Sequence, residues 1–163
     1  MRKKIAKWAY FLAVLLAVGL YARPMTLSKA LPVEGGQVSD FLLEIPYTEP
    51  IGDTGGQWVK EQVYQFKQDT ASATTQALLE ELKTIRCRRS LNFFAGKPTH
   101  STRDGCVTVT WLADGERCDF MMAAYKKTAR IYRGRYYVAY VLEEGAYNRI
   151  AAVLQTYGAL REE

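Results

Sequence analysis

Residues 106–124 read CVTVTWLADGERCDFMMAA, and this stretch decides the fold. Its two arms alternate residue types with the period of two that a half-buried strand requires. Between them lies Ala113-Asp114-Gly115-Glu116, with Asp114 and Gly115 at the central positions of a two-residue turn, where both must accept positive φ. The turn fixes a register of Trp111 opposite Cys118, Val109 opposite Phe120 and Val107 opposite Met122. All six side chains then share one face, so an antiparallel sheet with one buried side is expected.

Working outward, a second hairpin is expected around Arg133-Gly134, pairing Ile131 with Tyr136 and Ala129 with Val138. Upstream, Trp58 to Lys67 reads as a strand carrying Val63, Tyr64 and Phe66. Ser72 can then cap a helix whose Leu78, Leu79, Leu82 and Ile85 fall at three- and four-residue spacing. Arg86 to Phe94 returns to extended structure, and Gly96 to Gly105 reads as an exposed loop. The chain closes with a helix from about Glu143 to Tyr157, its stripe formed by Tyr147, Ile150, Ala151 and Leu154. Glu143 and Glu144 suit its positive end. The sum is an α+β fold: an antiparallel sheet of four to six strands with two packed helices, preceded by an N-terminal hydrophobic helix.

Residues 1–23 read as a signal-anchor. Arg2, Lys3, Lys4 and Lys7 precede an uncharged run of 15 residues from Trp8 to Ala22, which Arg23 closes. The charge bias places the N-terminus in the cytoplasm and the rest outside. The run is shorter than the roughly 20 residues of a full span, as in a cleaved signal peptide. Yet no small-x-small cleavage site precedes Pro24, and retention as an anchor is the favoured reading. The expected location is the cell membrane, in a single pass, or the exterior if the segment is cleaved. Residues 24–56, interrupted by Pro24, Pro32, Pro46, Pro50 and several glycines, read as an extracytoplasmic tether that admits one short strand over Val38 to Ile45. The domain proper is 57–163.

The chain carries 22 basic and 17 acidic residues, a net +5. Five of the basic ones lie in 1–23, so the remainder is balanced at 17 against 17. The basic character therefore reports targeting, and nucleic acid is not an expected partner. Charge within the domain is uneven, and no acidic residue occurs between Phe120 and Leu142. In that stretch Lys126, Lys127, Arg130, Arg133 and Arg135 lie among Tyr132, Tyr136, Tyr137 and Tyr140. Such a strip can bind anionic lipid headgroups, an anionic envelope polymer or an acidic protein through charge and cation–π contacts. Arg86, Arg88 and Arg89 add to it if their strand is adjacent. The alternative is a solvated edge whose arginines block sheet-to-sheet association.

No catalytic motif, cofactor motif or metal site is readable. His100 is the sole histidine and lies in a hydroxyl-rich loop, no Cys-x-x-Cys occurs, and Gly52 to Gly56 lacks the lysine and helix of a phosphate loop. Three cysteines in an exported domain admit one disulfide, for which Cys87 with Cys118 is the expected pair; the competing reading is three buried thiols.

The order of an apolar N-terminal segment, the Gln62-Val63-Tyr64-Gln65-Phe66 strand, the Leu78-Leu79-Glu80-Glu81-Leu82-Lys83 helix and the later Arg135-Tyr136-Tyr137-Val138 resembles small exported or lipoprotein-like domains of unknown function from Gram-positive bacteria. The likeness covers most of 58–142. The chain departs from it in lacking a lipobox cysteine and in carrying the helix after Leu142. The resemblance implies location and fold, and no activity. The expected function is a membrane-anchored extracytoplasmic binding or interaction module. A secreted or anchored enzyme without a recognisable motif, and an accessory or inhibitory subunit of a membrane complex, are the alternatives.

Overall fold

The hairpin at 106–124 forms with the expected register: Trp111 pairs with Cys118, Val109 with Phe120 and Val107 with Met122. Asp114 and Gly115 take φ of 52° and 78°, the two positive values of a type I′ turn. The computed structural model describes residues 2–31, 35–51, 56–91, 105–124 and 127–161. In chain order these form α1 (Arg2–Tyr21), β1 (Met25–Thr26), α2 (Leu27–Ala30), β2 (Gln37–Ile51), β3 (Gly56–Gln65), α3 (Ala71–Thr84), β4 (Arg86–Arg89), β5 (Cys106–Ala113), β6 (Glu116–Ala123), β7 (Thr128–Arg133), β8 (Tyr136–Leu142), α4 (Ala146–Tyr157) and β9 (Ala159–Leu160).

The sheet is larger than the four to six strands expected. Among the described residues it has nine, all antiparallel, in the order β1-β4-β8-β7-β6-β5-β2-β3-β9. Most of the excess comes from the stretch read as a tether. There β2 runs for 15 residues and pairs with β3 along ten of them, from Leu42 opposite Gln65 to Ile51 opposite Gly56. Its prolines are tolerated for a positional reason. Pairing with β5 ends at Glu44 opposite Cys106, so Pro46 and Pro50 lie where β2 has a partner on one side only, and a missing N–H can face outward. The short β1 and β9 add one strand at each edge.

The helices also differ from expectation. Beyond the two packed helices α3 and α4, the one-turn α2 buries Leu27 and Ala30. The leading helix is not a long apolar span in its described part, Lys7 to Tyr21, and no helix among the described residues is long and apolar enough to cross a membrane. Helix α4 starts at Ala146 rather than Glu143. The Glu143 carboxylate is held instead by Arg149, whose Nη1 donates to it at 2.9 Å.

The second hairpin is displaced by two residues from the expected pairing: Ile131 faces Val138 and Arg133 faces Tyr136. Gly134 takes the first central turn position with a φ of 59°, and Arg135 the second without positive φ. That is the glycine placement of a II′ turn. A slip of two preserves the face of every side chain, so the core is unaffected.

The core lies on one face of the sheet. Val109, Trp111 and Phe120 from the central hairpin meet Leu31, Leu78 and Leu82 and Ile150, all buried. A bulge shifts the β2–β5 register between Val38 and Asp40, and the Val38 backbone N–H is taken by the buried Thr75 of α3, Oγ1 at 2.9 Å. At the other end of α3, Arg149 of α4 holds Glu81 and Thr84, clamping the two helices together.

Candidate binding surface

The basic strip predicted from residues 126–137 is divided by strand geometry. Alternation turns Arg130 and Tyr132 of β7 and Tyr137 of β8 to the face away from the helices, and turns Arg133 to the helix face. On the first face the Arg130 guanidinium lies 4.9 Å from the Tyr137 ring centre, and the Tyr132 and Tyr137 rings are 5.4 Å apart. These are a cation–π contact and an aromatic cross-strand pair. On the helix face Arg133 donates from Nη2 to the Ala30 carbonyl at 3.4 Å and interacts with the Cys118 thiol. Arg133 therefore braces α2 against the sheet. Lys127, at the far end of β7, pairs with Glu144 across 3.3 Å with both side chains exposed. Lys126 lies outside the described residues, as does His100.

The conditional addition of the Arg86 to Arg89 strand is met, and one unexpected group, Tyr21, joins the region as well. Strand β4 pairs with β8, which places Arg88 opposite Val141 and Arg89 opposite Tyr140. The Arg89 guanidinium lies 5.2 Å from the centre of the Tyr21 ring, in the last turn of α1. The end of the apolar helix is thus docked beside the basic hairpin. Tyr21, Ser90, Arg135, Tyr136, Tyr137, Val138 and Ala139 line a groove of about 250 Å³ at this junction. Among the described residues no acidic one lines it. The signal for Arg89 was its position in Arg86-Cys87-Arg88-Arg89, once that segment is taken as a neighbour of β8. The contact with Tyr21 had no signal in the sequence.

The rest of α1 has an unusual exterior. Trp8, Phe11, Leu12, Leu15, Leu16 and Leu20 are all more than half exposed. An apolar helix exposed around its circumference has no stable solvation in water.

The cysteines are not a bridge. Cys87, Cys106 and Cys118 are buried free thiols. The expected Cys87–Cys118 disulfide is overturned by the strand order, which inserts β8 and β7 between their strands. Strand spacing alone then separates them by about 14 Å, whereas a disulfide needs Cα atoms about 4.4–6.8 Å apart. Burial pushes the Cys87 thiol up to about 11, with the Glu143 carboxylate adding to the effect. Burial likewise raises Cys106 and Cys118, the Arg133 charge opposing it at Cys118. Protonated, enclosed thiols are poor nucleophiles and poor metal ligands. Among the described residues no group of three His, Cys, Asp or Glu side chains converges as a metal site would require.

No family model, curated protein or solved structure matches the chain.

Proposed function

We propose that this protein is a membrane-attached interaction module: α1 is held in lipid, and the sheet domain presents its arginine–tyrosine surface beside the bilayer. The exposure of apolar side chains all around α1 carries the reading, because such a helix needs a non-aqueous medium and the domain core does not supply one. Its attached end supports the same arrangement. Tyr21, Tyr136 and Tyr137 cluster there with Arg89 and Arg135, and tyrosine and arginine suit the headgroup layer, where a ring or aliphatic stem meets apolar chains and the polar end stays wet.

Flotation of the full chain with zwitterionic phosphatidylcholine vesicles tests the attachment. The protein is expected to float, and to stay bound at high salt because apolar burial is not screened. Replacing the exposed Leu12 and Leu16 together by lysine should leave it at the bottom of the gradient with the sheet domain folded. A wild-type chain that remains monomeric in water and does not float would overturn the reading.

A further inference from the structure

The geometry points to a specific ligand for the groove where α1 meets the β7–β8 hairpin: we propose that it binds the phosphate of an anionic glycerophospholipid headgroup. The inference rests on the membrane attachment proposed above and adds a site and a chemistry to it.

Four observations converge. First, the groove is bounded by the last turn of the apolar helix on one side and by β8 on the other, through Tyr21 and Tyr136 to Ala139. A headgroup is the ligand whose apolar remainder would lie along α1. Second, its charge has one sign. Arg135 lines the groove, and Arg89 and Arg130 lie over the lining rings of Tyr21 and Tyr137. The nearest stretch of sequence, Phe120 to Leu142, supplies no carboxylate to neutralise them. Third, the Arg89 guanidinium is held 5.2 Å from the ring centre of Tyr21 and is next in sequence to Ser90, both of which line the groove. A guanidinium fixed by a ring beside the groove adds to the positive potential that a phosphate would meet there. Fourth, the volume of about 250 Å³ falls below the roughly 300–1,000 Å³ that engulfs a whole organic ligand. It suits a headgroup entering from one side.

The exposure of Tyr136, at 83%, follows from the same arrangement. It is the most exposed large hydrophobic side chain among the described residues, it stands at the hairpin tip, and in the headgroup layer its ring has somewhere to go. Arg133, opposite Tyr136 across the hairpin, is bonded to the Ala30 carbonyl and does not line the groove.

The test uses the full chain, first reconstituted in phosphatidylcholine nanodiscs and then titrated with short-chain phosphatidylglycerol, short-chain phosphatidylcholine or inorganic phosphate. Tryptophan and tyrosine fluorescence reports binding. Phosphatidylglycerol is expected to bind at least tenfold more tightly than phosphatidylcholine, with inorganic phosphate weaker than the lipid but displaced by it. Arg89→Gln and Arg135→Gln should each weaken phosphatidylglycerol binding by roughly fivefold, the scale of one cation at an anionic surface. Arg133→Gln should leave it unchanged. Equal affinity for both lipids, or equal loss in all three variants, overturns the groove. So does binding of an acidic peptide that phosphatidylglycerol fails to displace. Incorporation into the nanodisc is scored separately, so a chain that incorporates but shows no headgroup preference refutes this site alone, and one that fails to incorporate refutes the attachment.

Discussion

The backbone N–H of Val38 donates to Thr75 Oγ1 across 2.9 Å, joining the bulge of β2 to the buried face of α3. The same hydroxyl donates to the Ala71 carbonyl at 2.7 Å, so one oxygen satisfies both groups. Thr75→Val keeps the shape and removes the acceptor. An unsatisfied buried N–H costs about 1–3 kcal/mol, and urea unfolding should show a loss of that size. Thr75→Ser should recover most of it. A valine variant as stable as the parent would show that the bulge N–H finds another partner.

Gly105 and Gly134 both take positive φ, 73° and 59°, but their surroundings differ. A Cβ on Gly105 would lie 2.9 Å from the Glu44 carbonyl oxygen, Pro46 Cδ and the Tyr147 hydroxyl, whereas a Cβ on Gly134 meets open space. Gly134→Ala should therefore cost about 1 kcal/mol, the left-handed conformation alone. Gly105→Ala should cost several times more, because Glu44 and Tyr147 are bonded to each other and cannot both retreat. Comparable melting temperatures for the two variants would contradict this ordering.

The contrast between these positions and the rest of the chain shows what the sequence could reveal. Asp114-Gly115 specified its hairpin because two successive positive φ values admit few residue pairs. At Arg133-Gly134 a single glycine left two registers open, and both kept the core residues inward. The 15-residue β2 was hidden by Pro46 and Pro50, whose tolerance depends on where β5 stops, a fact of tertiary pairing. At the candidate surface, composition disclosed the cations, but a cluster in sequence is not a cluster in space. Arg130 and Arg133 are separated by an odd number of strand positions, so they lie on opposite faces. Tyr21 and Arg89 meet only because β4 adds beside β8, and no local pattern encodes that.

Arg149 bridges α3 and α4 by holding Glu81, Thr84 and Glu143 together. Its side chain is 39% exposed, so solvent screens much of the attraction. Arg149→Met should cost about 1 kcal/mol, and most of that should vanish when Glu81→Gln is also present, since the two act through one contact. Additive losses in the double-mutant cycle would mean that Arg149 stabilises by packing rather than by charge.

Alkaline pH should destabilise the fold through the three buried thiols, Cys87 with the large shift and Cys106 and Cys118 in the same direction, and through a phenol. The Cys87 thiol is pushed up to about 11 by burial and secondarily by Glu143, while in the unfolded chain it ionises near the ordinary value of about 8.5. Between those values the native state retains a proton that the unfolded state has released, so ionisation favours unfolding. The contribution is whole below about pH 8.5 and is lost as pH rises through about 11. Tyr147, pushed up to about 12 chiefly by burial, extends the decline above pH 10 with the same sign. From the Cys87 shift, the loss between pH 8 and 11 is on the order of 3 kcal/mol. Urea midpoints measured across that range should fall in the wild type. Cys87→Ala should reduce the first part of the fall, the share of Cys106 and Cys118 and the part above pH 10 remaining. An unchanged slope in the alanine variant would assign the alkaline transition to other groups.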